Sequence, residues 1–210
     1  MQILLETKRL ILRRFTELDV DHLFDLDNDP AVMHFINGGT PTPRHIIQTD
    51  ILPKFLNYNE DLPGCGAWAA IEKATTTFLG WFSFRPEADT PRKVSLGYRL
   101  HKATWNKGYA TEGSLALIHK GFTELGVQCV LATTYEHNVA SRRVMEKLGM
   151  TLLRKFRFTA EDLLNANTYH ATSLEVWDGY DVEYVLEKAA WEHNLEIEQS
   201  PCKGKYLGYL

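Results

Sequence analysis

Cysteine is scarce in this 210-residue chain, and the three present, Cys65, Cys129 and Cys202, are odd in number and far apart. That spacing argues against a disulfide framework and offers no zinc-ligand cluster, so no metal site is expected. Long apolar runs are missing too. Nothing approaches the roughly 20 residues needed to span a bilayer, and the first residues lack the apolar stretch of a secretory signal. The expectation is a cytoplasmic protein with no membrane partner. An excess of either charge is also lacking: the net charge is −4 with no basic block, which gives no electrostatic reason to expect nucleic acid as a partner. Three reaction signatures are absent as well. Without a Gly-x-Ser-x-Gly elbow, a His-Glu-x-x-His helix or a Gly-Lys-Ser/Thr turn, the serine hydrolase, zinc protease and P-loop readings have no motif to stand on.

What is present suits one compact enzyme domain, with 44% hydrophobic and 24% charged residues. Leu10 to Phe15 reads as a first strand. Thr16 with Asp19 resembles a capping box opening a helix that carries Leu18, Leu23, Phe24 and Leu26. Asp29-Pro30 starts a second helix that fades into a loop at Asn37-Gly38-Gly39. A helical stretch from Arg44 to Tyr58 is kinked or divided by Pro53. Strands follow at Ala67 to Ile71 and Thr77 to Phe84, joined near Lys73-Ala74, and then at Val94 to Leu100. The aromatic residues Trp68, Phe78, Trp81, Phe82 and Phe84 read mainly as core, with alternation sending some of the rings to the opposite face, where they could border a substrate cleft. Later strands are expected at Leu152 to Phe158, Ser173 to Trp177 and Val182 to Leu186, with a helix at Ala160 to Ala166.

The most informative stretch is Trp105-Asn106-Lys107-Gly108-Tyr109-Ala110-Thr111-Glu112, a small-residue turn between the strand Val94 to Leu100 and a helix. Leu115, Ile118, Phe122 and Leu125 recur along that helix at helical spacing. Such a turn aims free backbone N–H groups and a helix dipole at an anion, and Gly108 lets the main chain come close because it has no Cβ. Alone, the same turn is equally well a plain strand-to-helix connection.

Further along, after the apolar run Val127 to Thr134, comes Asn138-Val139-Ala140-Ser141-Arg142-Arg143-Val144-Met145-Glu146-Lys147-Leu148-Gly149-Met150. With the Lys107 to Thr111 turn, it resembles the acetyl-CoA-binding core of the GCN5-related N-acetyltransferase (GNAT) superfamily, in the branch similar to the ribosomal-protein N-terminal acetyltransferases. The opening Glu6-Thr7-Lys8-Arg9-Leu10-Ile11-Leu12-Arg13-Arg14-Phe15 with Asp29-Pro30-Ala31-Val32-Met33, and the ending Trp177-Asp178-Gly179-Tyr180-Asp181-Val182-Glu183-Tyr184-Val185-Leu186 with Trp191, are similar to that branch in the same order. The resemblance covers about Thr7 to Trp191, so residues 1–191 are read as one acetyltransferase domain and 192–210 as an extension of unknown role.

The resemblance implies a mixed α/β fold: a mostly antiparallel central sheet whose fourth and fifth strands splay apart, flanked by helices. It implies acetyl-CoA as co-substrate and an amine acceptor, and leaves monomer and homodimer both open. The backbone of Tyr98, Arg99 and Leu100 would lie beside the pantetheine arm. The amides of Lys107, Gly108, Tyr109, Ala110 and Thr111 would hold the pyrophosphate, with Asn138 on the far side and Ser141 near the thiol. Asn138 is also a good helix N-cap, and Lys107 and Arg142 are equally read as solvated charges. Acceptor walls would come from Phe35 to Thr42, Arg85 to Lys93 and Phe158 to Thr172.

Two departures from the family pattern bear on mechanism. Ser95 stands where relatives often carry a glutamate base, and Met145 where many carry a tyrosine acid. Ser95 relaying a proton through water and Ser141 hydrogen-bonding the thiolate are the catalytic candidates that remain, with Glu112, His101, His137 and Tyr135 as further proton acceptors. Each of these four has a structural alternative; for Glu112 it is support of its own helix. An α-amine is on the order of 10% neutral at pH 7, whereas deprotonating a lysine side chain costs roughly 4 to 5 kcal/mol. An enzyme with no strong base therefore suits an α-amine, with a polyamine or drug amine as the alternative acceptor and a non-catalytic acetyl-CoA-binding module as the alternative role.

Overall fold

The computed structural model describes residues 2–57, 64–87, 90–157 and 179–199. It begins with a hairpin that the sequence did not announce, β1 (Ile3–Glu6) paired antiparallel with β2 (Leu10–Arg14). The Thr16–Asp19 capping box forms as expected, but over a 3-10 turn, Glu17–Asp19, that leads into α1 (Val20–Asp27). Asp19 is 1% exposed and gripped by both terminal nitrogens of Arg13, at 2.8 and 2.6 Å. Leu18 lies on this turn and points to solvent, so it is not part of the apolar stripe.

Asp29 caps α2 (Pro30–Asn37) by accepting the Ala31 N–H at 2.8 Å, and Gly38 ends the helix in the left-handed conformation. The stretch expected to be broken by Pro53 is α3 (Arg44–Ile46), a π-turn (Ile47–Ile51) and α4 (Leu52–Asn57). The Leu52 N–H reaches back five residues to the Ile47 carbonyl, which widens the helix just before the residue that has no N–H to give.

Strands β3 (Gly66–Glu72), β4 (Phe78–Glu87) and β5 (Thr90–Leu100) form an antiparallel meander. Residues Arg85 to Lys93, expected as an acceptor loop, are therefore mostly strand: the pairing of Arg85 with Ser95 and of Glu87 with Thr90 draws them into a hairpin. Then follow α5 (Tyr109–Thr123), β6 (Cys129–Tyr135), α6 (Val139–Lys147), β7 (Thr151–Phe156), β8 (Asp181–Glu187) and α7 (Lys188–Gln199). The strand expected at Ser173 to Trp177, the helix at Ala160 to Ala166, the loop Phe158 to Thr172 and Cys202 lie outside the described residues. The sheet order is β1-β2-β3-β4-β5-β6-β8-β7, with β5 and β6 the parallel neighbours.

Apolar residues fill both faces of the sheet. Phe82, Phe84, Leu96, Leu117, Ile118, Phe122 and Val130 pack together beneath α5 and α6, while Leu23, Leu26, Ile47, Leu52, Phe55 and Trp81 pack beneath α1 to α4. Helix α5 corrects the expected stripe: Leu115 faces outward at 37% exposure and Leu117 inward at 1%. The reason is close approach. Gly113 and Gly121 lie directly over the Phe82 and Phe84 rings, where a side chain would collide, so the helix turns these glycines to the sheet together with Leu117, Ile118 and Phe122. The expected domain end at residue 191 falls inside α7, and Trp191 there packs 5.2 Å from the Phe122 ring.

Candidate active site

β5 and β6 pair over only three positions, Lys93 with Cys129, Val94 with Val130 and Ser95 with Leu131. Beyond Ser95 the strands separate. β6 is held instead along its whole length by β8, from Cys129–Glu187 to Tyr135–Asp181. The second half of β5 therefore has a neighbour on one side only. The His101 N–H goes to the Leu79 carbonyl on the β4 side, at 2.9 Å. By the alternation of an antiparallel ladder, the main-chain groups of Tyr98 and Leu100 turn the other way, into the gap. The Leu100 carbonyl is already taken there by the Trp105 indole N–H, at 2.8 Å. Unpaired strand groups need partners, and an extended amide-bearing chain supplies them.

At the mouth of this gap the chain turns into α5. Asn106 and Gly108 both have positive φ, 59° and 82°. The first intrahelical bond of α5 runs from the Glu112 N–H to the Gly108 carbonyl at 3.0 Å, which leaves the amides of Tyr109, Ala110 and Thr111 ahead of it with no helical acceptor. Those donors, with the helix dipole, fit a pyrophosphate. Tyr109 contributes its amide only: its side chain is buried, its hydroxyl donates to Glu72 and its ring lies 4.3 Å beneath the Arg9 guanidinium. The Arg9 Nη1 donates to the Lys107 carbonyl at 2.9 Å, which turns that peptide's N–H away from the strand. Lys8, Arg9 and Lys73, with Glu72 and Ala74, line a shallow cavity of about 300 Å³ next to Tyr109.

Glu112 is fully engaged. It accepts from the Thr7 hydroxyl at 2.6 Å, the Arg9 N–H at 2.9 Å and the Arg9 Nε at 2.6 Å. Burial opposes ionisation, but these donors outweigh it and hold the carboxyl below its ordinary range. These three donors hold it in a structural role, which is the second of the two readings the sequence left open.

The two serines expected to act in catalysis lie on opposite faces of the sheet. Arg99 reaches Asp27 of α1 at 2.6 Å, so Ser95, Gly97 and Arg99 face α1 and α2. Tyr98 faces the other way, its hydroxyl 3.0 Å from the Ser141 hydroxyl on α6. Ser95 thus marks the vertex of the gap on the α1 face, and Ser141 flanks it on the α6 face. Asn138 caps α6, its Oδ1 accepting the Ser141 N–H at 3.2 Å, and its Nδ2 is the donor that remains. Arg142 is bound to the Tyr184 hydroxyl at 3.2 Å and the Glu136 carbonyl at 3.1 Å, a structural brace in place of a free phosphate ligand. Met145 is buried in the core at 2% exposure.

Of the other titratable candidates, His101 ends β5 with its ring edge against Phe78 at 6.0 Å, and burial pulls its pKa below the usual histidine value. His137 is exposed and edges against Tyr135 at 5.3 Å. Tyr135 is buried, with the Phe35 ring of α2 at 6.2 Å, so these two aromatics close the α2 side of the gap. One carboxylate was not singled out from sequence: Asp181, opposite Tyr135 on β8, whose pKa is pushed up to about 6 by burial and by Glu136. Its only trace in the sequence is a charge at the start of an otherwise apolar strand.

Residues 9–151 match the family described as the acetyltransferase (GNAT) domain. The splayed strands and the anion-receiving helix terminus are what a coenzyme A-dependent acyltransferase uses. The chain belongs to the GNAT acetyltransferase family, and its activity is acetyl-CoA-dependent N-acetylation. It is 29% identical to FsC-acetyl coenzyme A-N(2)-transacetylase of Aspergillus fumigatus, over 89% of this chain and 77% of that protein. A GNAT-family acetyltransferase from Bacillus anthracis has the same fold, with a TM-score of 0.70 at 21% identity over 90% of this chain and 99% of that one. So does RimL, a ribosomal L7/L12 α-N-protein acetyltransferase solved with coenzyme A, with a TM-score of 0.70 at 16% identity over 89% of this chain and 98% of that one.

Proposed function

We propose that the chain transfers the acetyl group of acetyl-CoA directly, in a ternary complex, to a primary amine of low basicity, first of all a protein N-terminal α-amine. The observation that supports this reading is that, among the described residues, Ser95 and not a carboxylate stands at the vertex, Glu112 is held by three donors, and Asp181 lies further out, beside Tyr135. A site that extracts no proton by force needs an acceptor already partly neutral, and an α-amine with a pKa near 7.7 to 8.0 qualifies. The acceptor would approach from the α1–α2 face, past Phe35 and Tyr135, where Ser95 can pass its proton to water. On the opposite face, Ser141 would donate a hydrogen bond to the departing thiolate. The Tyr98 N–H, turned into the gap, would meet the carbonyl oxygen as it gains charge.

A second reading, a small-molecule amine, is favoured by the relative whose name specifies N(2)-transacetylation. Thiol release from acetyl-CoA over pH 6 to 9, measured with N-terminal peptides, lysine peptides, polyamines and small diamino acids, separates the two. Turnover confined to N-terminal peptides supports the first, and turnover confined to small molecules the second. Selective turnover of lysine side chains would overturn the low-basicity argument itself.

A further inference from the structure

We infer that Tyr98 is a positioning residue for acetyl transfer: its hydroxyl, delivered from β5 across the gap to α6, turns the Ser141 proton toward the leaving thiolate. This rests on the reading above that Ser141 meets the sulfur. In this chain the tyrosine that many relatives carry on the helix is replaced by Met145, which is buried in the core at 2% exposure and has no proton to offer. The structure brings a different phenol to the same helix from the strand on the other side of the gap.

The Tyr98 hydroxyl has two acceptors within reach, both on Ser141: the side-chain oxygen at 3.0 Å and the backbone carbonyl at 3.3 Å. Its ring is steadied by Phe82, with centroids 6.2 Å apart, and Phe82 is fully buried. Burial pushes the Tyr98 pKa up to about 12, so the phenol keeps its proton throughout the working range and must donate it somewhere. When it donates to the Ser141 carbonyl, the serine O–H is free to point back at the phenol oxygen. When it donates to the Ser141 Oγ, the serine proton must point elsewhere. The gap and the second lone pair of Asn138 Oδ1, which already accepts the Ser141 N–H, are then the directions open to it. A negative sulfur appearing in the gap selects the second pattern by rotation of two hydroxyls.

The chemistry balances without a full proton transfer from either hydroxyl. The amine nitrogen forms its bond to the thioester carbonyl carbon, and the C–S bond breaks with its electron pair left on sulfur. The amine's proton leaves through water, and Ser141 O–H stabilises the thiolate by a charge-assisted hydrogen bond. Tyr98 and Ser141 begin and end the cycle protonated.

The test is ultraviolet titration of the thiol of coenzyme A bound to the purified enzyme, in wild type, Tyr98→Phe, Ser141→Ala and the double variant. Phenylalanine keeps the ring packing, and coenzyme A affinity measured alongside confirms an intact site. Wild type should lower the bound thiol's pKa by about one unit from its ordinary value near 8.5. Tyr98→Phe should lose most of that shift and about tenfold in kcat, with KM for acetyl-CoA unchanged. The double variant should match Ser141→Ala alone, because the phenol acts only through the serine. A wild-type shift in Tyr98→Phe, or effects that add in the double variant, would overturn the role of Tyr98 while leaving Ser141 in place. A bound thiol whose pKa in Ser141→Ala is still as low as in wild type would overturn the reading of Ser141, and that of Tyr98 with it.

Discussion

Arg9 Nε lies 2.6 Å from Glu112 Oε2, and this ion pair ties the first turn of α5 to the start of β2. The anion-receiving turn is thus not shaped only by the strand and helix it connects. A residue near the start of the chain stands on the Tyr109 ring, donates to the Lys107 carbonyl and pairs with the acid of the first helical turn.

Replacing Glu112 by glutamine should cost about 1 to 3 kcal/mol of stability, since Arg9 and Thr7 lose a charged acceptor and the arginine is partly solvated. At saturating acetyl-CoA, kcat per folded molecule should stay within about twofold and the pH profile should keep its shape. Chemical denaturation and a pH–rate series check both. Loss of the acidic limb of the profile, where activity falls as a base takes up its proton, would make Glu112 the missing base.

Gly108→Glu should abolish acetyl-CoA binding by calorimetry while circular dichroism shows the fold retained. The carboxylate would place like charge where this reading puts the phosphates, and a side chain at φ 82° adds strain of about 1 kcal/mol. Unchanged affinity would move the phosphate site elsewhere.

Asn138→Ala removes the acceptor of the Ser141 N–H and should cost about 1 kcal/mol in thermal or denaturant unfolding. Activity should fall further than that loss explains, together with acetyl-CoA affinity. A fully active variant would reduce Asn138 to its capping role.

Two carboxylates set opposite pH limits on stability. Asp19, buried but hydrogen-bonded by Arg13 and His22, is held well below the usual carboxylate range. Its contribution is present above the unfolded pKa near 3.9 and is lost as pH falls through the folded value. Asp181, raised to about 6, does the reverse: its neutral form suits the fold, and stability is lost as pH rises from about 4 through 6. Asp181→Asn should therefore raise the melting temperature at pH 8, by a free energy of roughly 3 kcal/mol at most, and leave it unchanged at pH 4. An equal effect at both pH values would exclude titration as the cause.

The local signals in the sequence were legible because they are satisfied locally. Thr16 and Asp19 cap the turn between them, Asp29-Pro30 opens α2, and Gly108 marks the tight entry to α5. The splay of β5 from β6 followed from the family resemblance alone. What could not be read were bonds made over long separations, such as Arg9 to Glu112 across 103 positions and Tyr98 to Ser141 across 43. The exchange of Leu115 for Leu117 was hidden for a related reason: helical spacing counts apolar residues, whereas the packing depends on glycines that make room for the Phe82 and Phe84 rings.

β8 fills the outer edge of β6, so one wall of the gap proposed for acetyl-CoA is finished by residues 181 to 187. In a chain emerging from the ribosome, β5, the α5 turn and α6 are all available before the strand that steadies β6. Capture of acetyl-CoA on a growing chain should therefore wait until residues 181 to 187 have emerged, and until then the outer edge of β6 is an unpaired strand within reach of a chaperone.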